Sequence, residues 1–473
     1  MKRRTFLKSS LILAGAMCLD VKSFAKVLNG KGEPNLRIGV LSDIHITDAD
    51  SAKVFVHTLE YFRDKNVDGV MIAGDMADWG RESQLQTVAD AWYRVFPKDK
   101  APDGHRVEKL FIYGNHDVND WSKGKDLSVD EKEFKEAIFL HREETWKRCF
   151  KEKYSPVYMK TIKGYHFIGT HWIDGRNVPG LEEFLAANRG KLAGGKPFFY
   201  FQHPHPKDTC NGPWAWGQDD GTVTKLLSQF PNCFAFSGHS HSPLNDERDL
   251  WQGAFTSIGT ASLSYQYPMG GRENSYVDGA PEIPSQMPWM QCKDGKHGML
   301  MSVYDDCIAL ERREFLYDQP LGDNWIISLP VNASEAPLSF ENRARTALVP
   351  RFGEEDRVTI TRGTGKDRYG VEQKQVTIHF PSVLRKRTGV RAFDYEIQVE
   401  ANYMDTTYIT LTKRVFSPHC YLGENQDEDE VVCVFGENEL PIHREVRFVV
   451  RPCECFGKKG DPIYSDWVPA RES

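Results

Sequence analysis

From Asn35 to about Tyr317, apolar positions alternate between two periods. Short apolar runs at Leu36–Leu41, Val67–Ala73, Lys109–Tyr113, Tyr165–Thr170, Pro197–Phe201 and Asn232–Phe236 have the length and the β-branched or aromatic content of buried strands. Between the early runs the spacing is helical. Ser51–Lys65 carries Val54, Phe55, Leu59 and Phe62 on one face. Arg81–Phe96 carries Leu85, Val88, Ala89, Trp92 and Phe96, and Glu131–Phe150 reads as a third helix. Further strands are predicted at Ala254–Ile258, Gly298–Tyr304 and Cys307–Phe315. Strand-helix alternation followed by strands predicts an α/β fold, a layered α/β/β/α sandwich over residues 35–317.

The pattern then breaks. Residues 318–354 are loop-rich, with prolines at 330, 337 and 350, and read as a linker that partly packs on the first domain. From 355 to 473 only strands are predicted: 357–362, 375–380, 393–399, 408–412, 431–434 and 445–450. Short alternating strands separated by turn residues indicate a C-terminal all-β sandwich. The stretch from Arg447 through Phe456-Gly457 to Tyr464-Ser465-Asp466 resembles the last hairpin of a fibronectin type III domain.

Composition changes little in this picture. The 473 residues are 40% hydrophobic and 27% charged, as in ordinary globular chains. A net charge of -7 gives no reason to expect nucleic-acid binding. The N-terminus is more telling. A twin arginine in Lys2-Arg3-Arg4-Thr5-Phe6-Leu7-Lys8 precedes the apolar run Leu11–Leu19, which is too short to span a bilayer. Small residues follow at Ser23-Phe24-Ala25. Residues 1–25 are similar to a twin-arginine export signal, implying a periplasmic or extracellular protein with no membrane span in its mature chain. A lipoprotein reading through Cys18 is disfavoured by bulky Met17. Nine further cysteines cannot all pair with one another. Cys420/Cys433 and Cys453/Cys455 are candidates for bridges, with buried thiols the equal alternative.

Candidate chemistry lies at the strand ends. Asp43 and His45 follow the first strand, Asp75 the second, and Gly114-Asn115-His116-Asp117 the third. His203 follows Pro197–Phe201, and Gly238-His239-Ser240-His241 follows Cys233–Phe236. Carboxylate and imidazole together suit Zn, Fe and Mn. Seven ligating groups, Asp43, His45, Asp75, Asn115, His203, His239 and His241, are too many for one tetrahedral ion. They suit two ions that share a carboxylate. Parallel strands bring such scattered ends to one edge.

The series Asp-x-His, Gly-Asp, Gly-Asn-His-Asp, His and Gly-His-x-His, in that order, resembles the calcineurin-like metallophosphoesterase superfamily. That resemblance implies two divalent or trivalent metal ions (Mn, Fe or Zn). Asp43, His45 and His241 would hold the first, Asn115, His203 and His239 the second, and Asp75 would bridge them. It further implies catalytic roles for His116, near the leaving-group oxygen, and for Asp117, which orients it. A phosphomonoester or phosphodiester would be hydrolysed by attack of a metal-bridging hydroxide. The substrate would be a small molecule: a nucleotide, a lipid head group or a sugar phosphate. The Tyr ligand usual in purple acid phosphatases is not apparent beside Asp75, where Met76-Ala77-Asp78 follows. The rival reading is a binding protein whose sandwich engages a glycan or a protein, with a relic catalytic domain; the complete ligand set argues against it. Softer candidates are Asp78, His171-Trp172, Trp214 and Trp216, Tyr265 and Tyr267, and His205 as a group facing the substrate.

Overall fold

The computed structural model describes residues 32–118, 142–173, 178–213, 215–268, 292–367, 369–385, 389–423, 425–426 and 429–471. The export segment, Trp214 and the first part of the 131–150 helix lie outside them; residues 142–150 are helical.

Among the described residues the first half of the chain builds two facing sheets. One contains β1 (Leu36–Leu41), β2 (Gly69–Ala73), β3 (Glu108–Ile112), β10 (His297–Val303), β11 (Cys307–Glu314), β12 (Gln319–Pro320) and β13 (Trp325–Ser328). In it β1, β2 and β3 run parallel, and β10 returns antiparallel beside β1. The other contains β4 (Val157–Ile162), β5 (Tyr165–Thr170), β6 (Phe198–Phe201), β7 (Cys233–Ser237), β9 (Thr256–Gly259) and β8 (Leu250–Gln252), with β5, β6, β7 and β9 parallel.

The period-2 pattern explains the layering. Leu36, Ile38 and Val40 on one sheet meet Phe199, Phe201, Phe234 and Phe236 on the other in a single buried core. The alternate residues face outward against helices. Val70, Ile72 and Phe111 pack under α1 (Ala52–Asp64) and α2 (Glu82–Val95) through Phe55, Leu59, Phe62, Leu85, Val88 and Trp92. A one-turn helix, α3 (Asn115–Val118), follows β3. Ile168, Phe198, Tyr200 and Ala235 pack under α4 (Leu181–Leu192) and α5 (Thr222–Leu227). The result is the α/β/β/α order that the alternation predicted.

The pattern did not reveal β4, α4 or α5. Strand β4 mixes Tyr158, Met159, Lys160 and Thr161 and sits at a sheet edge, paired only with β5 along the sheet path. Residues 318–354, expected as a linker, contain β12 and β13, both paired to β11, and α6 (Phe340–Thr346).

Among the described residues the C-terminal half is antiparallel throughout. A three-stranded sheet of β14 (Thr359–Lys366), β15 (Glu372–Pro381) and β18 (Glu430–Gly436) faces a sheet of β16 (Asp394–Tyr403), β17 (Thr406–Phe416), β19 (Glu445–Cys453), β20 (Ile463–Tyr464) and β21 (Val468–Pro469). Val376, Ile378 and Phe380 meet Tyr395, Ile397, Val399, Phe448 and Val450 between them. The nine cysteines among the described residues are all buried and in the thiol form, so neither candidate bridge is present. No helix among the described residues is long and apolar enough to cross a membrane.

Phe199 lies in the core shared by the two sheets, and its ring packs on neighbours in its own sheet, with centroids 4.7 Å from Phe167 and 6.0 Å from Phe234. Phe199→Ala removes those contacts and leaves a cavity. We expect it to destabilise the protein by about 3–5 kcal/mol, read as a lowered urea midpoint with the slope unchanged.

Candidate metal centre

Each expected ligand sits in the residues that follow an apolar strand, and the backbone there is held in an unusual conformation. Asp43, His45, Asp75, His239 and His241 all have positive φ, between 50° and 70°. Non-glycine residues seldom adopt that region, and where they do the surrounding structure holds them there. Here the hold is a mesh of loop bonds. Asp43 N donates to Gly74 O at 3.0 Å, Ile44 N to Asp75 O at 2.8 Å, and Gly238 N to His203 O at 2.9 Å. Gly238 is needed for closeness, because a Cβ there would stand 2.3 Å from Asp43 Oδ2. The loop after β7 can therefore approach the loop after β1.

The side chains converge. His241 Nε2 is 2.9 Å from Asp43 Oδ1, and His45 Nε2 is 3.2 Å from His241 Nε2. His203 Nε2 is 3.1 Å from Asp75 Oδ2 and 3.0 Å from Asn115 Oδ1. Asp75 Oδ2 lies between the groups, 3.8 Å from His45 Nε2. Ligand atoms of Asp43, His45 and His241 lie within 4.8 Å of one another, as do those of Asp75, His203 and His239. A third such group is His45, Asp78 and His116.

The tautomers decide what these atoms can be. His203 Nδ1 faces Ala73 O at 2.8 Å, His241 Nδ1 faces Tyr265 O at 3.1 Å, and His45 Nδ1 faces Asp78 Oδ1 at 3.1 Å. Both nitrogens of His203 and His241 face oxygen, but a backbone carbonyl can only accept, so in the neutral ring the proton sits on Nδ1, and for His45 it sits on the nitrogen beside Asp78. Each neutral ring therefore turns a lone pair, at Nε2, toward the centre. There it meets carboxylate and amide oxygens, or another lone pair. Asp43 Oδ1 is buried without a hydrogen-bond donor of acceptable geometry. Buried acceptors without donors are costly, and cations resolve the conflict. The donor set of oxygen and imidazole nitrogen fits Zn, Fe or Mn.

The electrostatics without a cation agree. Burial raises the Asp43 carboxyl, yet His241, His203 and His45 hold it well below the usual carboxylate range. Burial likewise raises Asp75, but His203 brings it to about 2. Burial lowers His203, and Asp75 and Asp43 overcome this to place it at about 9. A proton on His203 then takes the place of positive charge that the cluster requires. His239, where burial dominates, falls to about 3.

The flanking candidates separate. His116 Nδ1 faces Asp78 O at 2.8 Å, leaving Nε2 available, and its ring stands edge-on to His45 at 4.6 Å. The expectation that Asp117 orients His116 is corrected. Asp117 instead accepts from the backbone amides of Ala77 at 2.7 Å, Gly114 at 2.8 Å and Met76 at 3.2 Å. It fixes the loops that carry Asp75 and Asn115. Burial, with Asp75 nearby, raises its carboxyl to about 7 against those three bonds. Asp78 is the orienting residue, by its side chain for His45 and by its carbonyl for His116. His205 does not face a substrate: it is buried with Nδ1 on Ser237 Oγ at 2.7 Å and Nε2 on Ser240 Oγ at 2.6 Å. His171 packs inside the core against Tyr113, Trp146 and Tyr154. Trp172 stands at the centre's edge, 5.7 Å from His203 and 5.5 Å from His239. Trp216 lies 5.1 Å from His239, and Tyr265 4.2 Å from His241.

Residues 36–243 match the family model for calcineurin-like phosphoesterases. The chain carries a calcineurin-like phosphoesterase domain. That domain is a metal-dependent phosphoric ester hydrolase. A search of curated proteins returned no match. Among solved structures, a dimetal phosphatase from Danio rerio is 12% identical over 63% of this chain and 99% of that one, at a TM-score of 0.38. GAP50, the anchor in the inner membrane complex of Plasmodium, is 11% identical over 64% and 92%, also at 0.38. A conserved uncharacterized protein (predicted phosphoesterase) from Streptococcus pneumoniae is 14% identical over 62% and 97%, at 0.26. Likenesses at this level carry no argument, and the assignment rests on residues 36–243.

Asp78→Ala leaves His45 without its Nδ1 partner while keeping the carbonyl that holds His116. Loss of such an orienting partner typically weakens metal affinity 10–100-fold. We expect a fall of about that size in Asp78→Ala, measured by chelator competition, with the circular dichroism spectrum unchanged.

Proposed function

We propose that the protein is an exported phosphoesterase that hydrolyses a small phosphate mono- or diester at a centre of two metal ions. The observation that carries the reading is the convergence of lone pairs: Nε2 of His45, His203 and His241 with Asp43 Oδ1, Asp75 Oδ2 and Asn115 Oδ1. On this reading Asp43, His45 and His241 hold one ion, Asn115, His203 and His239 the other, and Asp75 both. Bound there, Mn, Fe or Zn would supply polarisation of the phosphoryl oxygens and a water of lowered pKa.

The remaining work falls to the chain. Asp78 O accepts a hydrogen bond from Nδ1–H of His116, so Nε2 is the atom that can hold a proton for the departing oxygen. General-acid assistance of this kind contributes about 10²–10⁴ in rate. Asp117 keeps Asp75 and Asn115 in register by gathering the amides of both loops. Trp172, Trp216 and Tyr265 pack against the ligand imidazoles and limit how water reaches them. An exported protein meets scavenged nucleotides, phospholipid fragments or sugar phosphates sooner than cytosolic phosphoproteins. The twin-arginine segment, which supports export by a route for folded proteins, suits an enzyme that acquires its metals first.

Two variants test the reading on an aryl phosphomonoester and an aryl phosphodiester. His116→Ala should keep two metals per chain by elemental analysis and lose about 10²–10⁴ in kcat. Asp75→Asn should lose activity together with metal. Wild-type rates in both folded variants would exclude this centre as the site of hydrolysis.

A further inference from the structure

Two loops set aromatic rings along one side of the metal centre. The loop after β6 brings Trp216 to 5.1 Å from His239, and the loop after β9 brings Tyr265 to 4.2 Å from His241. Tyr267 links them, 6.2 Å from Trp216 and 6.4 Å from Tyr265. The backbone of both loops is fixed. Gln218 Nε2 donates to Gly212 O at 2.8 Å and to Ala215 O at 2.6 Å, His205 N donates to Gly217 O at 2.8 Å, and Tyr267 N donates to His241 O at 2.8 Å. Gly217 has a φ of 82°, and a Cβ there would stand 3.1 Å from His239 Cδ2, so the loop lies close against that imidazole.

Trp216 is not what holds its loop. It is 36% exposed, while Ala215 beside it is buried and Gln218 makes the tethers. A large aromatic side chain left open on a pinned backbone, against a candidate ligand, is placed to meet what enters the site. The rings of Trp216 and Tyr267 stand at 71° to each other. They form a corner, in which a flat ring can lie on the face of one and meet the other at a steep angle. Offset stacking and edge-to-face contact are the two arrangements that aromatic pairs prefer. The corner also stands apart from the proton donor. His116 groups with His45 and Asp78, whereas His239, which Trp216 touches, groups with Asp75 and His203.

We propose that Trp216 and Tyr267 stack a flat aromatic group, of nucleobase type, on the retained arm of a phosphodiester. The proposal rests on the reading of His116 as proton donor to the departing oxygen. That role places the leaving arm beside His116, and the second arm of a diester then lies toward His239 and Trp216. Hydrolysis breaks the P–O bond to the leaving arm. The hydroxyl of a water joins phosphorus, the departing oxygen takes the proton from His116 Nε2, and the other proton of the water replaces it. The product is a monoester whose aromatic arm rests on Trp216. Every base has a π face, so such a stack selects an aromatic arm without selecting one base.

The test uses full-length, metal-loaded protein and diesters that share a p-nitrophenyl leaving arm and differ in the retained one: methyl, hexyl or thymidine 5′. The thymidine diester should exceed both alkyl diesters in kcat/KM. Trp216→Ala should lower the thymidine-to-methyl ratio toward one, a fall of about 5- to 150-fold, the range of a single base–aromatic stack. Trp216→Phe should restore much of it. In calorimetric titrations thymidine 5′-phosphate should bind more tightly than methyl phosphate, and Trp216→Ala should remove that preference. Tyr267→Ala should lower the same ratios and carries the test if Trp216→Ala does not fold. Equal kcat/KM for the hexyl and thymidine diesters, or ratios unchanged in folded variants, would overturn the proposal. Hydrolysis of an aryl phosphomonoester but of no diester would also overturn it and leave the metal centre standing as the hydrolytic site. Hydrolysis of neither would overturn both.

Discussion

The catalytic domain is organised around a conflict that its own atoms cannot settle. Three imidazoles are fixed with Nδ1 on an oxygen and Nε2 toward a common centre, and two buried carboxylates point at the same place. Without a cation, lone pairs face lone pairs. The protein-only charge state relieves this by protonating His203 beside Asp75, and metal ions at the same positions would supply that positive charge in its place. Folding thus stores an unfavourable arrangement that ligation would relieve, which would couple metal affinity to the stability of the loops. The positive φ of five candidate ligands belongs to the same account: strained backbone persists because neighbouring strands over-determine it.

The convergence needs both sheets. Strands β1, β2 and β3 deliver Asp43, His45, Asp75 and Asn115 from one, and β6 and β7 deliver His203, His239 and His241 from the other. Because parallel strands point their carboxyl ends the same way, both sets reach one end of the shared core. The phenylalanines between the sheets therefore set the distance between the two halves of the metal centre. A change in core packing there would be felt as a change in ligand spacing.

This geometry is why so much was legible in the sequence. A ligand placed just after an apolar strand is marked by two independent signals, the run and the residue type, and five such marks in order specify a site. What escaped carries only one signal or none. Asp78 stands only among the softer candidates, because an Asp there also serves as a helix cap; its part shows once its carboxylate is seen on His45 and its carbonyl on His116. The carbonyls of Ala73 and Tyr265, which fix two tautomers, have no side-chain identity to read. Asp117 looked like a partner for its neighbour His116, but its carboxylate turns back to three amides, a choice made by loop shape. Helices α4 and α5 and edge strand β4 were missed because short or weakly patterned segments owe their form to the sheet they cover or border.

The sandwich reaches the metal centre through backbone. Asn245 follows His241 by four residues, and its Nδ2 donates to His419 O and Leu422 O, both at 2.9 Å. His297 accepts from Leu244 N at 3.2 Å and donates through Nε2 to Tyr421 O at 2.9 Å. Burial lowers His297 to about 3, so this neutral tautomer holds across the physiological range. Residues 419–422 of the sandwich therefore brace the loop that positions His241. Next to it, Gln266 Nε2 bonds Ser262 O at 2.6 Å beside Tyr265, whose carbonyl orients the His241 ring. A displacement of the sandwich would act first on His241, whose lone pair faces both Asp43 and His45, and only later on the ligands from β2 and β3. The candidate ligands are in this sense mechanically unequal: Asp75 and Asn115 are anchored through β2 and β3, whereas the loop that carries His241 is anchored by its sheet and by the second domain together.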